Sequence, residues 1–594
     1  MPRKDKRPHS AVLQDPDTLE NEVKPKQDKI EQVPPPLPPP PPQDTGPTEA
    51  VILHPGSSTL HLGLASDLSP HSVPHYIAYR YNSSAGDGNA KPRQPHGVSS
   101  VLTYGAELTP DLVIQRKAGL SSLRQALCEA RERLGVVEPG KGEEEECALF
   151  NARTQPVSGQ WDDAEEENVQ WTDVSSSPKY VIGTDALYLA PDSGYRVFKP
   201  LRYGKLNVAS DCPHSLVLNM LEDLWTKAIE DFLGIPRKEF KMYRVVLVVP
   251  DMIDRSMFKE FMNILLLRME FASALLHQES LCATYSAGLS IACVVNVGDE
   301  RTHICCVEEG VSNPNTRVTL HYGGSDITRL FYWLLKEIHF PYKGCSESSL
   351  EDGQLVQHLK ETLCHLDPTI TGIRAHAFSV TSRETSVVHD YEMKLSDQGI
   401  LAAMGVFYPS TFCLPDRSPL MFGQVPPPPD PEDLFDEGHW LDSQPQQQSR
   451  PVPVKCEVAP ELLPEATKRL GSVHPGKILG LDQAIHFSID CASSLEIKKK
   501  LYSSILVVGG GLSFGNVSNM LNARLQLKLP IVLTKGLEDM EIFTNPRDLD
   551  SSIVAWRGGA VLKCLDTCQE LWIEKQEWEF SGVRLLRERA PFAW

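Results

Sequence analysis

Three glycine-bearing turns hold the residues whose types and spacing suit chemistry. The first lies in HPGSSTLHLG, from His54 to Gly63, with apolar runs on both sides. A hairpin of this composition offers the backbone N–H groups of Gly56, Ser57 and Ser58, and two hydroxyls, to phosphate oxygens, because an amide-lined turn is an anion nest. It reads equally as a plain glycine hairpin. The second lies in NVGDERTHICCV, from Asn296, again as strand, turn and strand, with Gly298 and Asp299 in the turn. The third is ILVVGGGLSF, where a buried strand runs into Gly509, Gly510 and Gly511. Glycine there lets the backbone approach a purine or ribose closely. None of the three is specific alone.

Metal and nucleic-acid chemistry find less support. The 14 cysteines are scattered, with no CxxC pair at zinc spacing, so buried reduced thiols are expected. A formal net charge of −20 argues against broad nonspecific DNA binding, which needs Lys and Arg to displace counterions. It suits contact with basic partners such as histones. No DNA-reading motif stands out, so any DNA contact must be to backbone or shape. Lys498 to Lys500, and Arg584, Arg587 and Arg589, are candidate stretches that read at least as well as solvated faces. The opening MPRKDKRPHS does not read as a signal peptide, and no apolar run of about 18 residues predicts a membrane span. Arg3, Lys4, Lys6 and Arg7 form a short basic cluster, readable as a nuclear import signal or a solvated tail.

The turns need buried strands to hold them. Order is expected to begin at Ala50, after a Pro-rich extension over residues 1–48 that ends in the run Pro34 to Pro42 and suits a stiff spacer. AVILHPGSSTLHLGLAS reads as strand, tight turn, strand. Residues 81–178 are expected as a low-order acidic insertion, interrupted by a helical stretch near 119–135. From Tyr180 the pattern is globular. SLVLNMLEDLWTKAIEDF has helical spacing, YRVVLVVP reads as a strand buried on both faces, and CVVNVG and HICCVEEG follow as strands. A second low-order insertion, rich in Pro, acid and Gln, is expected over 414–475. The core therefore divides into 49–413 and 476–594, and alternating buried strands and helices make an α/β class.

Taken in order, these segments resemble the actin family over 50–80 and 180–594, apart from 414–475. HPGSSTLHLG is similar to the family's first phosphate loop, with His54 where an Asp is usual. NVGDERTHICCV is similar to the second, with Asn296 in place of another Asp. HQESLCATYSAGLS matches the helix carrying the water-positioning residue and places Glu279 there. YGGSDITRLFYWLL puts Gly324 near a nucleotide, and HLKETLCHLD puts Lys360 and Glu361 against adenosine. ILVVGGGLSF adds Gly509 to Gly511 and Leu512, and IVAWRGGAVLKCL resembles the segment linking the lobes. The closest resemblance is to the nuclear, actin-related branch of the family.

The resemblance implies a bilobed fold of two ribonuclease-H-like lobes around a nucleotide cleft, with ATP as a structural cofactor, accompanied by magnesium if bound. It implies a nuclear, non-catalytic subunit of an INO-eighty-type chromatin remodeller, with roles in transcription regulation, DNA recombination and DNA repair. Its implied partners are the motor subunit, nuclear actin and another actin-related protein, together with nucleosomes, histones and linker DNA. Hydrolysis needs a divalent cation and a positioned water, and the residues at 54 and 296 make efficient turnover unlike this chain. The insertion at 81–178 falls where actin has a small outer subdomain. A monomer or discrete dimer is therefore expected, without filaments. An active ATPase and a cytoskeletal homologue are the competing readings.

Overall fold

All six residues of Ala50–Pro55 (β1) are buried, as a strand covered on both faces requires. The computed structural model describes residues 49–80, 109–158 except 138, 139 and 141, 171–381 except 191, 192, 210 and 211, 388–414, 420–422, and 478–590 except 535, 536 and 538. β1 turns at Gly56 into the antiparallel Thr59–Leu64 (β2), which pairs onward with His71–Pro74. On its other side β1 runs parallel to Arg244–Val249 (β3), and β3 parallel to Ser273–Gln278 (β4). The apolar run YRVVLVVP thus sits at the centre of the first lobe's sheet, as expected. The helix His214–Leu233 packs its apolar face into that lobe's core, with Leu221, Leu224 and Trp225 fully buried.

The second lobe repeats the plan. Ile291–Val297 (β5) is antiparallel to Thr302–Glu308 (β6), and β6 to Val318–Leu320; β5 runs parallel to Ile505–Val508 (β7), and β7 to Ile542–Phe543. Two sheets with one strand order face each other across a cleft. Glu279–Ala287 (α1), which follows β4 directly, and Val554–Leu562 (α3) cross between them. Their backbones touch: a Cβ at Gly558 would run into the carbonyl of Cys282. Only glycine permits that approach. Between them in sequence, Gly324–Glu337 (α2) starts at the cleft.

The expected low-order segment 81–178 needs correction. Its described part holds a helix over Pro110–Leu134, another over Glu143–Arg153 and a short strand at Val157–Ser158. Its residues 171–178 lie with the outer sheet of Ile77–Arg80, Tyr180–Ile182 and Tyr195–Phe198, where Val174 packs beside Ala78. Its two helices and short strand pack on the second lobe. Leu120, Leu123 and Leu127 enter that lobe's core, and Arg131 makes a paired contact to Asp397 at 2.6 and 2.8 Å. Asn151 caps the strand Val388–Leu395 through Lys394, and Val157–Ser158 pairs with the same strand. The acidic run Glu143 to Glu146 forms the first turn of its helix, where carboxylates favour the helix dipole.

Within the expected insertion 414–475, Leu420–Phe422 forms a strand beside Val318–Leu320. The Pro and Gln runs there, residues 1–48 and the acidic cluster at 162–167 lie outside the described residues. Among the described residues no helix is long and apolar enough to cross a membrane. All the described cysteines are free thiols.

Candidate functional site

The two hairpins deliver their side chains to one cleft of about 360 Å³. His54 is the penultimate residue of β1, and Asn296 occupies the corresponding place on β5. His54 stands opposite His61 in the first register and Asn296 opposite His303 in the second. The next strand supplies a hydroxyl in each case. His61 Nδ1 lies 2.9 Å from Ser72 Oγ, and His303 Nδ1 2.9 Å from Thr319 Oγ1. Burial pushes both imidazoles down to about 4. The His54 charge adds to this for His61 and Asp550 opposes it, while Glu279 opposes it for His303.

Glu279, the first residue of α1, is buried between the hairpins. Its Oε1 lies 2.9 Å from His54 Nε2, and its Oε2 accepts from Asn296 Nδ2 at 2.7 Å. Burial works to raise this carboxyl's pKa. The bond to His54, its charge, the charge of His303 and the Asn296 N–H outweigh that and hold it below its ordinary value. The bridge joins first-lobe β1 and α1 to second-lobe β5.

The turns themselves are anchored differently. Gly56 N–H donates to Thr59 O, and Gly56 O accepts from His75 Nδ1 at 2.8 Å. Trp225 Nε1 donates to His75 Nε2 at 3.1 Å. His75 is fully buried, and burial pushes it down to about 4 against the pull of the Gly56 carbonyl. In the second turn, Lys199 Nζ contacts Asp299 Oδ2 and Glu300 Oε1, both at 3.2 Å, and Tyr203 N–H donates to Glu300 Oε2 at 2.6 Å. Burial opposes both charges. The attraction to Lys199 nevertheless holds Glu300 low, and Glu300, with Tyr76 and Asp299, pushes Lys199 up.

Gly298, Gly324 and Gly511 close the cleft floor. A Cβ on Gly511 would meet the Gly298 carbonyl, and one on Gly324 would come within 3.1 Å of Gly511 Cα. Lys360 Nζ reaches the Gly324 carbonyl at 3.5 Å, and exposed Glu361 accepts from Gln357 Nε2 at 3.0 Å. His54, Gly56, Ser57, Ser58, Glu279, Asn296, Gly298, Asp299, Gly324, Lys360, Glu361, Gly509, Gly510 and Gly511 all line the one cleft. Leu512 does not. Its side chain turns into the second lobe's core and is 4 % exposed, because the short turn Gly510–Leu512 folds it inward.

Sequence reasoning missed His61, His75, Lys199, Glu300, Arg301 and His303. The two cleft histidines were findable, since each follows its hairpin's leading residue by the same interval. Lys199 carries no local signal. Among the described residues no group of three His, Cys, Asp or Glu side chains is placed to hold a metal ion.

This double-hairpin cleft has relatives. The family described as Actin matches residues 45–591. Actin-related protein 8 of Bos taurus is 38% identical, with 92% of each chain covered, and that of Homo sapiens is 37% identical over the same shares. The chain belongs to the actin-related protein 8 family. A solved structure described as human actin-related protein Arp8 in its ATP-bound state has a TM-score of 0.75 and 38% identity, covering 92% of this chain and 97% of that one. The bilobed actin-like fold expected from sequence is therefore the fold of this chain.

Proposed function

We propose that this chain is a nucleotide-binding, non-catalytic actin-related subunit of a nuclear chromatin-remodelling complex. One observation carries the non-catalytic part. Both oxygens of Glu279, the residue placed to orient an attacking water, are bound by the chain's own His54 and Asn296. Those two bonds aim the carboxylate at the chain's own side chains, and neither partner is a carboxylate able to organise the divalent cation that hydrolysis needs.

Nucleotide binding is supported separately. The three glycine-bearing turns line one cleft, the first turn offers the N–H groups and hydroxyls of Ser57 and Ser58, and the human relative is described in an ATP-bound state. Retained nucleotide stabilises the closed two-lobed form by linkage. The remodeller role rests on the family resemblance. Its partners are the motor subunit, nuclear actin, another actin-related protein, and nucleosomes with linker DNA. Packing of 109–158 on the second lobe supports a monomer or discrete dimer over a filament, because it alters a surface that a repeating contact would need.

Nucleotide content and single-turnover hydrolysis of the purified chain test this reading. Bound ATP is expected to stay intact for hours. Steady phosphate release that disappears in Glu279→Ala would make the chain an ATPase. Reconstitution with the motor subunit's helical segment and nuclear actin tests the assembly, and failure to co-migrate on sizing would remove the scaffold role.

A further inference from the structure

Arg301 closes the second turn, and its place is unusual for an arginine. The residue is 7 % exposed and lines the cleft. Its guanidinium packs against Gly204, where a Cβ would come within 3.1 Å of its Cζ. Its Nε is buried and has no hydrogen-bond partner among the described residues. A buried guanidinium N–H without a partner is costly, and an anion brought beside it relieves that cost. Burial depresses the Arg301 pKa, with Asp254 and Glu300 opposing, but a guanidinium stays protonated in proteins.

The carboxylates that would hold a divalent cation nearby are already engaged. Glu279 gives both oxygens to His54 and Asn296. Glu300 gives Oε1 to Lys199, with Arg202 at 3.5 Å, and Oε2 to the Tyr203 N–H. Asp299 gives Oδ2 to Lys199. Among the described residues this leaves Asp299 Oδ1 as the one oxygen of these three side chains without an N–H or cationic partner. Magnesium at a triphosphate relies on carboxylates and waters in octahedral array, and this donor set does not fit it.

We propose that Arg301, in place of a divalent cation, supplies the positive charge against the phosphates of a nucleoside triphosphate in this cleft. The proposal rests on the reading of the cleft as a nucleotide site. Guanidinium suits the role, since its rigid fork matches phosphate geometry and needs no carboxylate cage.

Calorimetric titration of the nucleotide-stripped full chain with ATP, in excess EDTA and in excess magnesium, tests it. The two Kd values are expected to agree within about threefold, where a tenfold change corresponds to about 1.4 kcal/mol. In EDTA, Arg301→Met is expected to weaken ATP at least tenfold and adenosine little, with Arg301→Lys recovering part of the loss. Thermal melts of each variant separate misfolding from lost binding, and the wild-type comparison stands without any variant. A wild-type Kd weakened tenfold or more by EDTA overturns the proposal, as does undiminished ATP binding by a folded Arg301→Met. Absence of ATP binding in both buffers overturns the nucleotide reading itself, and with it this proposal.

Discussion

The two hairpins share one plan but are anchored differently, the first from within its own lobe and the second from across the cleft. Each places a leading residue on Glu279, a histidine opposite it and a hydroxyl beyond that histidine. The first turn is uncharged, and its carbonyl is held by His75, itself held by Trp225, both of the same lobe. The second turn carries Asp299, Glu300 and Arg301, and Lys199 holds its acids from the first lobe's outer sheet. The first turn's shape is therefore a property of one lobe. The second turn's position also sets how far the lobes stand apart. The two lobes share one architecture, while the chemistry of their two turns differs.

Acid should break what the hairpins have in common, and with the largest effect. Burial lowers His61, His75 and His303 to about 4 from 6.5. The unfolded chain takes up these protons near the ordinary value, and the fold only near the lowered one. The stability they contribute is present above the unfolded value, falls as pH drops through that window, and changes no further below it. Each group accounts for on the order of 3 kcal/mol across the window. Urea midpoints at about pH 7 and about pH 4.5 measure the loss. Equal midpoints would show that these imidazoles are not held neutral.

Truncations sharpen the difference between the turns. Glu300→Ala leaves the buried Lys199 ammonium with Asp299 alone and should cost about 3 kcal/mol. His75→Ala orphans the Gly56 carbonyl and the Trp225 N–H and should cost about 2 kcal/mol. Chemical denaturation gives both values. Only Glu300→Ala is expected to let the lobes separate, read as a larger radius of gyration in small-angle scattering. The same expansion from both variants would erase the distinction between a turn held within its lobe and one held across the cleft.

How much of this could be read from sequence follows the range of each interaction. The turns at Gly56, Gly298 and Gly509 were legible because their chemistry is local, and YRVVLVVP because a strand buried on both faces is apolar throughout. The insertion at 81–178 was misread for the opposite reason. Its helix was expected near 119–135, but its many charges hide how it packs: Arg116 and Arg131 are fully buried, donating to Thr411 O and Pro368 O. The helix starts at Pro110, well before Gly119, which lies in its middle where Ser410 and Thr411 leave no room for a side chain. Lys199 reaches its acids over a hundred residues of chain, a pairing that no spacing rule exposes. Leu512 followed three cleft glycines in sequence but not in space, since one turn of backbone separates lining from core.

Asn296→Asp is the smallest change and isolates the second hairpin's side of the bridge. Asn296 Nδ2 now donates to Glu279 Oε2 at 2.7 Å. A carboxylate in its place replaces that bond with two like charges, which favour holding one proton between them. His54 keeps its bond to the other Glu279 oxygen, so the first hairpin is undisturbed. The Glu279 carboxyl, now held below its ordinary value, is expected to rise above it. A carboxyl whose folded pKa exceeds its unfolded one loses stability as pH rises through the unfolded value. The variant should therefore fall short of the wild type by about 1–2 kcal/mol near neutrality, and the shortfall should shrink on acidification toward the ordinary carboxyl range. Urea melts across pH on both proteins read this directly. A shortfall that stays constant with pH would mean that Asn296 merely fills space beside Glu279, and the asymmetry between the hairpins would then lie in their turns alone.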